Sequence, residues 1–191
     1  MNIRDISAQV NLSAGLVAYY PFNDNADDES GNDNTPVFNN ARLTNGRNGN
    51  SKSAYEFNGK NQYMRIQNAP SINFKGAYSI SVWIKINDFY EGKCHGNRII
   101  MKGNGDYLDG SYFLTSDDNY YTKGNNCSTN RANKKHQTFY GPFRSKVTGA
   151  EFASTSKWNL LTYMYNDTTV SLYVNCSLYA TGTKADYKFY Q

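Results

Sequence analysis

Residues 78–86, YSISVWIKI, decide the fold of this chain. Ile80, Val82 and Ile84 alternate with serine, tryptophan and lysine at the positions between them. Successive side chains of a β-strand point to opposite faces, so this period of two predicts a strand with one apolar face. The isoleucines and valine are expected to face a core.

Short runs of β-forming residues recur on both sides of this stretch. They lie at 15–22, 53–58, 62–66, 98–102, 111–116, 158–165 and 170–175. Turn residues separate them, a Gly59-containing turn lies between 53–58 and 62–66, and Asn166–Thr169 is predicted to close a tight hairpin. Residues 119–148 lack strong periodicity and are predicted to be irregular. No long helical periodicity is present, which predicts an all-β fold with two antiparallel sheets in a jelly-roll sandwich.

Composition excludes several classes of protein. The chain has 191 residues, and its 15% aromatic content is too high for a disordered chain. No apolar run reaches the roughly 18 residues that cross a bilayer, so no membrane span is predicted. A net charge of +4 is too small to indicate nucleic acid. Residues 1–14 are predicted to be a lead-in or linker, and 15–191 one domain.

Three stretches carry a resemblance to a known family. They are Gly15–Asn34, Ala54–Met64 continued by 78–86, and Lys157–Thr183. In this order they resemble the laminin-G-like, concanavalin-A-like jelly-roll domains of bacterial surface and secreted proteins. The resemblance implies a hairpin within 54–64 and an extracellular or cell-surface location. It also implies closing strands beyond Gln191, so the domain is predicted to lack its last strands and to leave an open edge.

An acidic loop forms the second half of the first of these stretches. Five of the 16 acidic residues lie within positions 24–33, with no lysine or arginine among them. Carboxylate and amide oxygens are the ligands that Ca²⁺ prefers, and the resemblance implies a structural calcium in the same loop. The predicted ligands are Asp28 first, then Asn23, Asn25, Ser30 and Asp33. The alternative is a solvated loop of Asx turns.

The three cysteines, Cys94, Cys127 and Cys176, allow one internal disulfide at most. Cys94 and Cys127 both lie in polar stretches rich in glycine and asparagine, where a disulfide would join two loops. Free thiols are the main alternative. A zinc site with His95 and His136 is less favoured because the ligand spacing does not match.

Catalysis is not predicted. Glycoside hydrolysis requires two carboxyl groups about 5–10 Å apart. The chain has only four glutamates, and none is paired with a second acid on a convincing strand: Glu29, Glu56, Glu91 and Glu151.

Binding is predicted instead. Aromatic rings stack on the C–H faces of sugars, and asparagine, aspartate and arginine hydrogen-bond their hydroxyls. The predicted ligand-binding residues lie in loops: Tyr107, Asp109, Tyr120, Tyr121, Arg131, Tyr140 and Arg144. The basic stretch 117–146 favours acidic glycans or is simply a solvated loop. Trp83, Trp158 and the tyrosines within strands are interpreted as packing residues.

The sequence therefore predicts a non-catalytic extracellular recognition module that binds carbohydrate and holds a structural calcium. A different class is the alternative: a structural or adhesive module of a surface fibre, or of a phage fibre or decoration protein, that binds protein partners. The open edge motivates this alternative, because an unpaired strand can pair with another chain.

Overall fold

The computed structural model describes residues 11–87, 97–103, 112–117, 136–140, 146–150 and 157–183. These residues form strands and one 3-10 turn at Pro70–Ile72, so the all-β expectation is confirmed. The strands are β1 (Pro36–Asn39), β2 (Arg42–Thr44), β3 (Ala54–Glu56), β4 (Met64–Ile66), β5 (Tyr78–Ile84), β6 (Asn97–Lys102), β7 (Tyr112–Asp117), β8 (His136–Tyr140), β9 (Lys146–Ala150), β10 (Asn159–Tyr165), β11 (Thr169–Val174) and β12 (Ser177–Thr183). No helix in the described part of the chain could cross a membrane.

The chain divides into two compact units, Met1–Ile72 and Asn73–Gln191. In the first unit, β1 pairs with β4 and β2 pairs with β3, both antiparallel. The turn at Gly59 is present with a positive φ of 66°. The prediction that β3 and β4 form one hairpin is wrong. Each pairs with a strand of three or four residues that is too short to show a hydrophobic period.

The predicted strand at 15–22 is also wrong, because residues 16–22 pair with no strand in the described part of the chain. Backbone groups of Leu16, Val17 and Tyr19 hydrogen-bond to residues 28–34 instead. The Tyr19 N–H donates to Asp28 Oδ1 at 2.8 Å, and the Tyr19 carbonyl accepts from the Glu29 N–H at 2.8 Å. A loop thus takes the place of a partner strand.

The second unit contains two four-stranded antiparallel sheets. One has the order β12-β11-β10-β5 and the other β6-β7-β8-β9. β8 and β9 lie in or across the end of the segment 119–148, so the prediction that this segment is irregular throughout is wrong. The other predicted strands of this unit are present within one or two residues of their expected bounds.

The core of the second unit lies between its two sheets. Burial alternates strictly along β10 and β11, where Leu161 and Leu172 are fully buried. Leu114 of β7 packs into the same cluster from the other sheet. In β5, Val82 and Ile84 pack against this cluster, while Ser81 and Trp83 are exposed. The alternation predicted for 78–86 is therefore confirmed, although the strand itself ends at Ile84. The two sheets pack their apolar faces together as a sandwich.

Tyrosines fill one part of this core. Tyr163 and Tyr165 are 2% and 6% exposed, which confirms that they are packing residues. Tyr78 lies within 6.2 Å of Tyr163 between ring centroids, and its hydroxyl is buried without a hydrogen-bond partner in the described structure. Burial, together with the neighbouring tyrosines, raises the pKa of Tyr78 well above its usual value.

Two tight turns connect successive strands of the β12-β11-β10-β5 sheet, which we call the long sheet. The predicted hairpin at Asn166–Thr169 is confirmed, because the Asn166 N–H donates to the Thr169 carbonyl at 3.1 Å and Asn166 Oδ1 accepts the Thr169 N–H at 2.8 Å. The turn between β11 and β12 consists of Asn175 and Cys176, both with positive φ. Cys176 is exposed with a free thiol.

Candidate functional site

One surface of the long sheet faces away from the core, and we call it the outer face. Its strand residues include Ser81, Trp83, Leu160, Thr162, Tyr173 and Leu178, all opposite in phase to the buried positions. Three large apolar side chains there are substantially exposed: Trp83 at 42%, Met164 at 45% and Leu178 at 57%. Three strand pairings hold this face, with one register shift between Leu172 and Tyr173 in the β11–β12 pair, so its side chains start from a hydrogen-bonded backbone.

The register places these residues in rows across the strands. Ser81 lies opposite Thr162, which lies opposite Tyr173. The Ser81 and Thr162 hydroxyl oxygens are 2.8 Å apart. In the next row Trp83 lies opposite Leu160. The indole therefore lies diagonally next to a pair of hydroxyls.

A lysine side chain lies at the end of the outer face that carries Trp83. The Lys85 ammonium is 5.7 Å from the centroid of the Trp158 ring, within the range of a cation–π interaction. Lys85 follows β5 in the phase of Trp83, and it is exposed. This end thus combines two indoles, a hydroxyl pair and one positive charge.

The acidic loop, residues 23–34, is organised around one carboxylate. Oδ1 of Asp28 accepts the N–H groups of Tyr19 at 2.8 Å and Ser30 at 2.9 Å. Oδ2 accepts the Asn34 N–H and the Ser30 hydroxyl, both at 2.9 Å. An ionised carboxylate offers about four lone-pair sites, so these four donors occupy them. Partial burial raises the pKa of Asp28, but the hydrogen bonds from Tyr19, Ser30 and Asn34 outweigh it and hold the pKa below 3.8.

Asn34 is the second anchor of the acidic loop, and only 1% of it is exposed. Its Nδ2 donates to the Val17 carbonyl at 2.7 Å, and its Oδ1 accepts from the Ser71 hydroxyl at 3.1 Å. The Asn34 carbonyl accepts from the Tyr20 hydroxyl at 2.7 Å. Asn34 and Asp28 together fix the loop against residues 17–20.

Several oxygens that calcium would need in this loop already accept hydrogen bonds within the protein. Asp28 could bind a cation only by giving up some of its four donors, so its carboxylate does not fit a ligand role in this arrangement. Asn25 Oδ1 accepts the Asp27 N–H at 3.0 Å, and Ser30 Oγ is bonded to Asp28. Asn23 and Asp33 are exposed. Among the described residues, no three His, Cys, Asp or Glu side chains come together as a metal site.

Most of the ligand-binding residues that the sequence predicted lie outside the described residues: Tyr107, Asp109, Tyr120, Tyr121, Arg131 and Arg144. Tyr140 is the last residue of β8, and only its backbone is described. Cys94 and Cys127 also lie outside the described residues, so their disulfide stays a prediction.

Sequence reasoning did not select the outer face. Trp83 was interpreted as a packing residue, although the alternation of 78–86 already placed it opposite the isoleucines. A large aromatic residue in the polar phase of a strand was the available signal. Thr162 and Tyr173 become part of the same surface only through the pairing of β10 with β5 and β11, which a single sequence does not reveal.

Comparisons with known proteins agree with this fold. A laminin-G-type family model, described as the concanavalin A-like lectin/glucanases superfamily, matches residues 58–190, well over half of the chain. No curated protein matches the sequence.

Two solved structures share the fold. The binding domain of Paraclostridial Mosquitocidal Protein 1 is 15% identical with a TM-score of 0.59; the match covers 92% of this chain and 42% of that one. Domain 4 of AbnA, a GH43 extracellular arabinanase from Geobacillus stearothermophilus, in complex with arabinotriose, is 17% identical with a TM-score of 0.53; the match covers 88% of this chain and 75% of that one. This chain therefore spans less than half of the first structure.

Proposed function

Because the chain belongs to the concanavalin A-like lectin/glucanases superfamily, we propose that it is a non-catalytic carbohydrate-binding module that acts outside the cell. The exposed indole of Trp83 beside the hydroxyls of Ser81 and Thr162 is the observation that carries this proposal. An aromatic ring suits the C–H face of a sugar, and hydroxyls next to the ring suit its O–H groups.

One structure with the same fold supports a saccharide as the ligand. Domain 4 of the arabinanase was solved in complex with arabinotriose. At 17% identity the two chains share a fold, and residues that contact the sugar cannot be transferred from one to the other. We therefore infer from this neighbour only that the ligand is a saccharide.

The absence of catalysis is part of the proposal. Several carboxylates in the described part of the chain are already engaged. Glu56 is paired with Arg42, Asp24 lies 2.9 Å from the Lys52 ammonium, and Asp28 accepts four hydrogen bonds. A hydrolase needs one carboxyl group held protonated and a second one near it. These three carboxylates supply neither.

A structural calcium in the acidic loop remains a proposal of its own. Its ligands would be oxygens of residues such as Asn23 and Asp33, unless the loop rearranges around Asp28. Thermal unfolding with about 1 mM Ca²⁺ and with EDTA tests it, since a ligand that binds only the folded state raises Tm. An unchanged Tm contradicts it.

A glycan array, probed once with Ca²⁺ and once with EDTA, tests the function itself. We expect a defined class of saccharide to bind. Circular dichroism of the same sample establishes that the protein is folded. A blank array with folded protein contradicts the proposal and favours the alternative of an adhesive module with protein partners.

A further inference from the structure

We propose that the outer face is the saccharide-binding surface and that it selects an acidic saccharide. The sugar ring stacks on the Trp83 indole, and the sugar carboxylate forms an ion pair with the Lys85 ammonium. This inference rests on the proposed carbohydrate-binding function and adds the surface and the chemical class of the sugar. The ligand-binding residues predicted from the sequence, between positions 107 and 144, are in other segments of the chain.

The position of Trp83 supports stacking. Its side chain is 42% exposed although it lies in a strand paired along its whole length with β10. A ring on a paired strand loses little conformational freedom when a ligand binds, which favours affinity. The side chains on the opposite face of the same strand pack into the core, which holds the strand in place.

Hydroxyls beside the ring favour a saccharide over a protein surface. Ser79 and Ser81 precede Trp83 in the same phase, and Thr162 lies opposite Ser81. The Ser81 and Thr162 hydroxyls share one hydrogen bond at 2.8 Å, which leaves one O–H donor and several acceptor lone pairs between them for a ligand. A sugar presents a C–H face and an O–H edge together, and this surface presents a ring and hydroxyls together.

Charge decides the class of sugar. The outer-face positions of β5, β10, β11 and β12 in the described structure carry no aspartate or glutamate, and Lys85 provides a positive charge at the end near Trp83. Lys157, next to Trp158, is a second exposed cation. A carboxylate on the ligand complements these charges, and the net charge of +4 attracts such a ligand over a distance.

Binding of the full 191-residue chain to an array of uronic- and sialic-acid oligosaccharides, beside neutral oligosaccharides of matched length, tests this inference. We expect acidic saccharides to bind and Trp83→Ala to weaken binding about tenfold or more. Lys85→Gln should weaken it several-fold and reduce its sensitivity to salt at about 0.5 M. Thr162→Val keeps the shape of the side chain and removes one hydroxyl, so it should weaken binding as well.

Matched controls separate the surface from general effects. Phe57→Ala removes an aromatic side chain of similar exposure, 48%, and Lys60→Gln removes an exposed lysine; both should bind like the unaltered chain. If Trp83→Ala fails to fold, Lys85→Gln and Thr162→Val carry the test. Saccharide binding that all three variants leave unchanged overturns this inference while the proposed function stands. Equal binding of neutral saccharides, insensitive to salt, overturns the acidic class. No saccharide binding at all overturns both.

Discussion

The backbone N–H of Tyr19 donates to Oδ1 of Asp28 at 2.8 Å, across nine residues of sequence. The same carboxylate accepts the N–H groups of Ser30 and Asn34. One side chain thus fixes a segment that would otherwise need a partner strand. The acidic loop is built around a hydrogen-bonded anion, whatever else it binds.

Asp28→Asn should therefore destabilise the protein. An amide offers only one oxygen, and its NH₂ group would face donors, so hydrogen bonds to a charged acceptor are lost. We expect the free energy of unfolding to fall by about 2 kcal/mol, measured by urea denaturation. Asp27→Asn makes the same change of charge on an exposed side chain of the same loop. Equal effects of the two substitutions would argue against the special role of Asp28.

Stability should fall in acid through the same group. The pKa of Asp28 is lower in the folded protein than its ordinary value of 3.8. A depressed pKa means that the stabilisation is fully present above the unfolded-state pKa and is lost as pH falls below about 4 toward the folded-state pKa. Unfolding midpoints of the unaltered chain and of Asp28→Asn should converge over this window. A difference that stays constant down to about pH 2 would contradict this account.

The hydrogen bonds of Asp28 also make a prediction about calcium. If its carboxylate serves the loop's backbone, Asp28→Asn should lower Tm by the same amount in Ca²⁺ and in EDTA. If Asp28 is a calcium ligand, the substitution should instead remove a Tm increment seen only with Ca²⁺. Differential scanning calorimetry of both proteins in the two buffers separates these results.

The β11–β12 turn predicts a stabilising substitution. Cys176 has a φ of 67°, a left-handed conformation that costs a residue with a Cβ about 1 kcal/mol relative to glycine. Cys176→Gly should raise the free energy of unfolding by about this amount. Cys176→Ala removes the thiol and keeps the Cβ, so it should change stability little. Equal stability of the two variants would show that the turn is not strained.

Tyr78→Phe should be neutral or stabilising. The Tyr78 hydroxyl is buried without a hydrogen-bond partner in the described structure, and such a group costs about 1–3 kcal/mol. Tyr165→Phe is the matched control, because the Tyr165 hydroxyl donates to the Asp167 carbonyl at 3.2 Å and its removal should destabilise. A large loss of stability in Tyr78→Phe would mean that its hydroxyl has a partner.

Patterns within one strand and across one tight turn were predictable from the sequence, and pairings between strands distant in sequence were not. The alternation of 78–84 and the hairpin at Asn166–Thr169 follow from local chemistry, and both are confirmed. The predicted hairpin of β3 with β4 is wrong because β3 pairs with β2 and β4 pairs with β1, and a single sequence does not reveal these pairings. The predicted strand at 15–22 is wrong because asparagine and aspartate side chains of the acidic loop hydrogen-bond to the backbone groups that a partner strand would use.

The candidate site divides in the same way. The carboxylate and amide groups of the acidic loop were visible as a cluster, but sequence could not show that Asp28 is already occupied by donors. Trp83 was visible as an aromatic residue in a polar phase. Its neighbours Thr162 and Tyr173 are about 80 and 90 positions away in sequence, and only the sheet brings them together.

The central claim is that the outer face binds a saccharide, and an NMR titration tests it most directly. ¹⁵N–¹H spectra would be recorded while the saccharide selected on the array is added. The chain has two tryptophans, so the indole N–H signals are few enough to assign. We predict that shifts concentrate at the amides of 81–85 and 158–162 and at the Trp83 indole. If the saccharide binds and these signals do not move while others do, the account is contradicted.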